Sequence, residues 1–187
     1  MIGRGFNIFG MTGSRRFMVS DGSRGGLPPL PIVDDTAAMM RDLDKEHGRV
    51  SRIGATYCVI LVRLDNVQES ELASQIVDGV GKRFAVSLRP YDSIYRFGPD
   101  MFLVGVSHIK IEDATVIMDR LRTVVSSRLL TMDDGSVVPA TASVGAIMLE
   151  GQFSVQEHLD RAGRALYAAT QNGGDSIRLW SPDLESA

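Results

Sequence analysis

The chain has 187 residues, of which 44% are hydrophobic and 23% charged, and these values predict one globular domain with a tail. Its formal net charge of −3 gives no reason to expect binding to nucleic acid or to a membrane surface, and no apolar stretch is long enough to span a bilayer. Because Cys58 is the single cysteine, an internal disulfide is excluded. No long apolar run follows the N-terminal arginines, so we expect no secretory signal and predict a cytoplasmic location.

Residues 1–33 form the first segment of the chain. They hold many glycines, several arginines and the proline-rich stretch 27–31, with no sustained apolar period. This composition predicts a flexible N-terminal tail, with a docking arm for a partner or another subunit as the alternative. The folded domain is expected to span residues 34–187.

From Asp34 onward, apolar residues recur with the periods of regular secondary structure. Asp34 or Asp35 is predicted to cap a first helix through residues 37–43. The run 57–64 is apolar and rich in β-branched residues, which indicates a buried central strand. A second helix is expected to end before Pro90. Its apolar face consists of residues spaced four apart: Leu72, Ile76, Val80, Phe84 and Leu88.

The second half of the chain alternates strands and helices in the same way. Residues 93–97 and 101–107 are predicted to form a hairpin around Gly98-Pro99, and residues 137–149 and 177–180 are predicted strand regions. A third helix lies between the hairpin and the first of these regions, with the apolar residues Ala114, Ile117, Leu121 and Val124. A fourth helix lies between the two regions, with the apolar residues Val155, Leu159, Ala162, Leu166 and Ala169. The order is helix, strand, helix, hairpin, helix, strand, helix, strand. It predicts an α/β fold with a central mixed β-sheet flanked by helices.

Four segments in this order resemble the GGDEF domain, the diguanylate cyclase family. They are the strand 59–65, the segment 95–98 that opens the hairpin, the strand 141–146 and the helix 160–169. The resemblance implies a nucleotidyl-cyclase-like sandwich. Where the family has Gly-Gly-Asp/Glu-Glu-Phe, this chain has a degenerate signature: Gly98, Pro99, Asp100, Met101 and Phe102.

The resemblance also implies that the catalytic site is lost. The family joins two GTP molecules with the help of divalent ions held by carboxylates. The carboxylate that ends the first strand is replaced by Arg63, and the fourth signature acid by Met101, while Asp100 is kept. Pro99 cannot donate a backbone N–H, and the arginine that steadies the triphosphate falls at Gly174. No catalytic residue, metal site, magnesium or other cofactor is therefore expected.

The family's inhibitory site for its product, cyclic di-GMP, is retained in the motif Arg-x-x-Asp. Arg89 and Asp92 stand at the family's spacing before Gly98, and Arg120 falls where a further arginine contributes. An arginine fork matches the O6 and N7 acceptors of guanine, and a carboxylate accepts from its N1–H. Arg122 is a weaker candidate and Arg96 weaker still. An Arg and an Asp three apart also commonly form a local ion pair at a helix end.

The sequence therefore predicts a catalytically inactive domain that binds cyclic di-GMP through Arg89, Asp92 and Arg120. Such a receptor signals through a protein partner or through self-association, for example as a homodimer. Two alternatives stay open at this point. One is an interaction module that binds no nucleotide, and the other retains weak GTP binding at the hairpin.

Overall fold

The computed structural model describes residues 15–17, 30–67, 72–171 and 173–185. These residues form a seven-stranded sheet in the order β1-β2-β4-β5-β3-β8-β9 and a separate two-stranded ribbon of β6 and β7. The strands are β1 (Arg15–Phe17), β2 (Ile32–Asp34), β3 (Tyr57–Leu64), β4 (Ser93–Arg96), β5 (Met101–Ser107), β6 (Leu130–Thr131), β7 (Val137–Val138), β8 (Ala142–Met148) and β9 (Ile177–Leu179). The helices are α1 (Thr36–Ile53), α2 (Ala73–Ser87), α3 (Ile111–Ser126) and α4 (Val155–Thr170), followed by a 3₁₀ turn (Pro182–Glu185).

The sheet is mixed, as the sequence predicts. Strand β3 runs antiparallel to both β5 and β8, whereas β2 pairs with β4 and β8 pairs with β9 in parallel. The α/β fold class is therefore confirmed, and β3 is the central strand expected from its continuous apolar run.

Helices cover both faces of this sheet because the side chains of β3 alternate between two cores. Cys58, Ile60 and Val62 point into one core, which α2 and α3 cover. Val59 and Leu61 point into the other core, which α1 and α4 cover. Because a strand side chain changes face at every residue, a strand buried on both faces reads as an unbroken apolar run.

Two strands come from the segment that the sequence predicts as a tail. Ile32 and Val33 of β2 pair with Ile94 and Tyr95 of β4, and β1 pairs with β2. The sheet therefore begins before residue 34. The rest of the predicted tail, residues 1–14 and 18–29, lies outside the described residues, and the tail as a domain assignment stays a prediction.

Helix α1 is longer than its sequence pattern predicts. Asp35 caps it as expected, because its side chain accepts hydrogen bonds from the N–H groups of Ala37 and Ala38. The helix continues past residue 43 to Ile53, where Gly54 takes a left-handed conformation and ends it. Within the described part of the chain, no helix has the length and apolar character that crossing a bilayer requires.

Candidate functional site

The predicted motif Arg89-x-x-Asp92 forms a tight turn between α2 and β4. The N–H of Asp92 donates to the carbonyl of Arg89 at 3.0 Å, and the N–H of Arg89 donates to Asp92 Oδ2 at 2.9 Å. Pro90 stands at the second position of this turn, where its fixed φ is favoured. The carboxylate therefore closes the turn on the inside, and the two motif residues are linked through the backbone of Arg89.

The Asp92 carboxylate is buried, with 6% of the residue exposed. Its second oxygen, Oδ1, is buried and has no hydrogen-bond partner among the described residues. Burial raises the pKa of Asp92 above its ordinary value, against the opposing effects of the Arg89 N–H bond and the positive charges of Arg89 and Arg120. The backbone of Ser107 lowers the pKa of Asp92 to a smaller extent, although its geometry falls short of a hydrogen bond to Oδ1. Arg89 and Asp92 thus share one turn, and Arg120 of α3 is near enough for its charge to lower the pKa of the Asp92 carboxyl.

The two arginine side chains of this site are exposed, in contrast to the aspartate. The guanidinium of Arg89 donates to the Tyr91 hydroxyl at 3.2 Å and lies 6.0 Å from the centre of the Tyr91 ring. Arg120 lies on the exposed face of α3. The site thus presents two guanidinium groups to solvent beside a carboxylate that has an unpaired oxygen.

The two weaker candidates, Arg122 and Arg96, are held in ion pairs. Arg122 binds Asp119 and Asp175, both at 2.8 Å, and Arg96 binds Asp78 at 2.8 Å. The bonds of Arg122 also raise its own pKa. These guanidinium groups are therefore committed to partners within the protein.

The degenerate signature forms the connection between β4 and β5. The N–H of Phe97 donates to the carbonyl of Met101 at 2.8 Å, so Gly98, Pro99 and Asp100 form a three-residue loop at the predicted hairpin. Gly98 has a φ of +145°, a conformation that favours glycine.

The last residues of the signature, Asp100 and Phe102, are buried and contact the rest of the domain. Phe102 is buried and packs edge-on against Phe84, with ring centres 5.4 Å apart. The carbonyl of Asp100 accepts from the N–H of Leu64 at 2.9 Å, and the Asp100 residue is itself buried. These contacts anchor the loop against the end of β3.

Two positions at which the resemblance expects acids lie side by side on the sheet: the metal-binding position that ends the first strand and the fourth position of the signature. Arg63 of β3 pairs with Met101 of β5 on one side and with Ser143 of β8 on the other. A cation and a thioether thus occupy neighbouring places where acids are expected in a cyclase. In the described ranges there is no group of three or more His, Cys, Asp or Glu side chains that could hold a metal ion.

A polar cluster that the sequence did not reveal lies just beyond the end of β3. The Asp65 carboxylate accepts from Thr141 Oγ1 at 2.9 Å, from Ser143 Oγ at 2.8 Å and from the N–H of Asp175 at 3.0 Å. Arg122 of α3 binds the side chain of Asp175. We call these five residues the Asp65 cluster. The one sequence signal for it is that Thr141 and Ser143 are two apart in the predicted strand region 137–149, where such residues share a face.

The loop after α4 lies directly against Asp65. A Cβ atom added to Gly174 would stand 2.8 Å from the carboxyl carbon of Asp65, and Gly174 has a φ of +79°. A larger residue at this position is therefore both crowded and strained. The Asp65 cluster fills the space beside the end of β3 with the protein's own loop.

Comparison with known proteins identifies relatives of this architecture. The family model described as "Diguanylate cyclase, GGDEF domain" matches residues 33–176. The diguanylate cyclase DosC of Escherichia coli strain K12 is 23% identical over 146 residues, which cover 75% of this chain and 32% of DosC. The chain thus spans about a third of the length of that curated relative.

Solved structures share the fold. The GGDEF domain of DgcB from Caulobacter crescentus, in complex with c-di-GMP, has a TM-score of 0.73 at 18% identity and covers 86% of this chain and 98% of its own. The diguanylate cyclase SiaD of Pseudomonas aeruginosa, in complex with its activator SiaC, has a TM-score of 0.71 at 21% identity, with coverage of 76% and 57%. At these identities the likeness establishes the fold.

Proposed function

Because the chain belongs to the GGDEF domain family of diguanylate cyclases, we propose that it is a catalytically inactive member that binds cyclic di-GMP. Arg89, Asp92 and Arg120 form the binding site, and the signal passes on through contacts with a protein partner or a second copy. The observation that carries this proposal is the tight turn that joins the exposed Arg89 to Asp92, whose second carboxylate oxygen is unpaired and whose pKa the charge of the exposed Arg120 also lowers.

The chemistry of these groups fits guanine. The forks of Arg89 and Arg120 can each donate two parallel hydrogen bonds to the O6 and N7 acceptors of a guanine base. Asp92 Oδ1 is an acceptor without a donor, and buried polar atoms are nearly always bonded. The N1–H of guanine is a donor of the right type for this oxygen once the exposed side chains around the turn make room.

Loss of catalysis is supported by the residues at the end of β3. Arg63 places a positive charge where a divalent ion has to bind, and Met101 beside it supplies no charge. Asp65, the nearest carboxylate along the strand, already accepts three hydrogen bonds within the protein. Without the metal, phosphoryl transfer loses several kcal/mol of transition-state stabilisation.

Two of the comparison structures support the proposed ligand and the proposed signalling through a protein partner. The DgcB domain is in complex with c-di-GMP, and SiaD is in complex with an activator protein. By analogy, both a cyclic dinucleotide and a protein are reasonable ligands for this chain.

Calorimetric titration with cyclic di-GMP, beside titration with GTP and magnesium, tests the proposal. We expect the native protein to bind cyclic di-GMP and to show no magnesium-dependent binding of GTP. Arg89→Ala and Arg120→Ala each remove a bidentate contact and should weaken binding by about tenfold or more. Arg164→Ala is the matched control, because Arg164 is an exposed arginine on α4, and it should bind normally.

Circular dichroism and thermal unfolding establish that each variant is folded. Unchanged affinity in Arg89→Ala overturns the assigned site. No binding of either nucleotide by the native protein favours the interaction module, and magnesium-dependent GTP binding favours the alternative with a residual nucleotide site.

A further inference from the structure

An aromatic ring stands exposed in the middle of the proposed binding turn. Tyr91 is 57% exposed, although its position between Arg89 and Asp92 is only one residue from a buried carboxylate. Its ring packs edge-on against His108, with centres 6.3 Å apart and planes at 90°. Its hydroxyl accepts a hydrogen bond from the Arg89 guanidinium. Tyr91 therefore contacts His108 and Arg89, while more than half of the residue stays open to solvent.

The turn itself explains this orientation. The hydrogen bond from the Asp92 N–H to the Arg89 carbonyl makes Pro90 and Tyr91 the two central residues of a β-turn. Pro90 fixes the backbone there, and both central side chains are exposed. The ring thus projects from a rigid support and loses little conformational entropy when a ligand covers it.

We propose that Tyr91 is a further ligand-binding residue, whose ring stacks on a guanine base of the cyclic dinucleotide. This inference rests on the proposed function, because it names a further contact in the same site. An aromatic face stacks on any base, and the contact is strong in nucleic-acid recognition. The fork of the adjacent Arg89 supplies the selection for guanine through O6 and N7.

The geometry lets one base use both groups. The Arg89 guanidinium carbon lies 6.0 Å from the centre of the Tyr91 ring, so a purine lying on that ring has its edge within reach of the fork. The guanidinium exchanges its hydrogen bond to the Tyr91 hydroxyl for bonds to the base. His108 keeps the ring from turning away when that bond is released.

Three tyrosine variants test this contact by calorimetric titration with cyclic di-GMP. Tyr91→Ala removes the stacking face and should raise Kd by about tenfold, which equals about 1.4 kcal/mol. Tyr91→Phe keeps the face and loses only the hydroxyl, so Kd should stay within about threefold of the native value. Tyr167→Ala is the matched control, because Tyr167 on α4 is also 57% exposed, and it should leave Kd unchanged.

A second measurement reports on the contact directly. Proton resonances of the Tyr91 ring should move upfield when cyclic di-GMP is added, since they enter the ring current of the base. If Arg89→Ala loses binding while Tyr91→Ala retains the native Kd, the stacking role is overturned and the proposed function stands. If the native protein does not bind cyclic di-GMP, both are overturned.

Discussion

The substitution Asp92→Asn separates the stability of the motif turn from its binding function. The native carboxylate is buried, one of its oxygens has no partner, and burial raises its pKa. The ionised form is therefore less favourable in the folded protein than in the unfolded chain. An asparagine at this position can still accept the Arg89 N–H through its amide oxygen, but it buries no charge.

The direction of the pH dependence follows from the raised pKa. Below the unfolded value of about 3.9, Asp92 is protonated in both states, so the native and variant proteins should have similar free energies of unfolding. As the pH rises through the folded pKa, the native protein must ionise a buried group and loses stability relative to the variant. Between pH 3.5 and pH 7 we expect the free energy of unfolding of Asp92→Asn to rise relative to that of the native protein by about 1 kcal/mol, an order-of-magnitude figure for a raised pKa.

Urea denaturation of both proteins from pH 3.5 to pH 7.5 measures this difference, with a constant m-value as the sign of two-state unfolding. Asp44→Asn on the exposed face of α1 is the control and should change stability by less than about 0.5 kcal/mol at every pH. Asp92→Asn should also weaken binding of cyclic di-GMP, because the introduced amide no longer offers a charged acceptor to guanine N1–H. A stability difference that does not change with pH, or that shifts in favour of the native protein as the pH rises, refutes the reasoning.

Three further predictions concern the framework of the site. Asp65→Ala should lower the free energy of unfolding, measured in urea, by about 2–4 kcal/mol. The substitution removes three hydrogen bonds to a carboxylate and leaves the buried hydroxyl of Ser143 unpaired. A change below about 0.5 kcal/mol contradicts this prediction. Gly145→Ala should destabilise the folded protein by about 3 kcal/mol, since its Cβ would stand 2.1 Å from the backbone nitrogen of Leu166. Gly163→Ala in α4 has open space around it and should stabilise the protein by about 0.5–1 kcal/mol. Equal effects of the two substitutions in thermal unfolding contradict this packing. Burial raises the pKa of Cys58 to about 12, so a thiol reagent at neutral pH should label it only in denaturant, and labelling of the folded protein argues against a buried thiol.

The sequence predicts the central elements because local pattern and tertiary structure agree there. The apolar run of β3 is compatible with a buried strand and the four-residue spacing in α2 with a helix, and both elements lie where they are expected. The strand region predicted at 137–149 is interrupted instead, since Pro139 ends β7 and β8 starts at Ala142. The edge strands β1 and β2 have three residues each, and their pairing depends on β4, far away in sequence. A local pattern cannot reveal such pairing.

In the candidate site, too, the contacts between residues near in sequence were predictable and the contacts between distant residues were not. The spacing of Arg89 and Asp92 predicts that the two residues lie close together at the end of α2, and the structure places them in one turn. The inward direction of the Asp92 carboxylate was not predictable, because it follows from the burial of the turn rather than from the motif. The Asp65 cluster was hidden for another reason: Asp65 is 76 residues from Thr141 and 110 residues from Asp175, and only the assembled sheet brings them together.

The Asp65 cluster bears on how catalysis is lost in the proposed function. A cyclase has to keep the end of its first strand open to a nucleotide and its metal ions. Here the loop after α4 lies against Asp65, which binds the Asp175 N–H, while Arg122 holds the Asp175 side chain. Arg122 stands two residues after Arg120 on the same helix, so one continuous set of polar contacts connects the end of β3 to the helix that carries a proposed ligand-binding arginine. The contacts of the Asp65 cluster thus tie the position of α3 to the end of β3, so a substitution at Asp65 is expected to act on the proposed binding site through this helix as well as on stability.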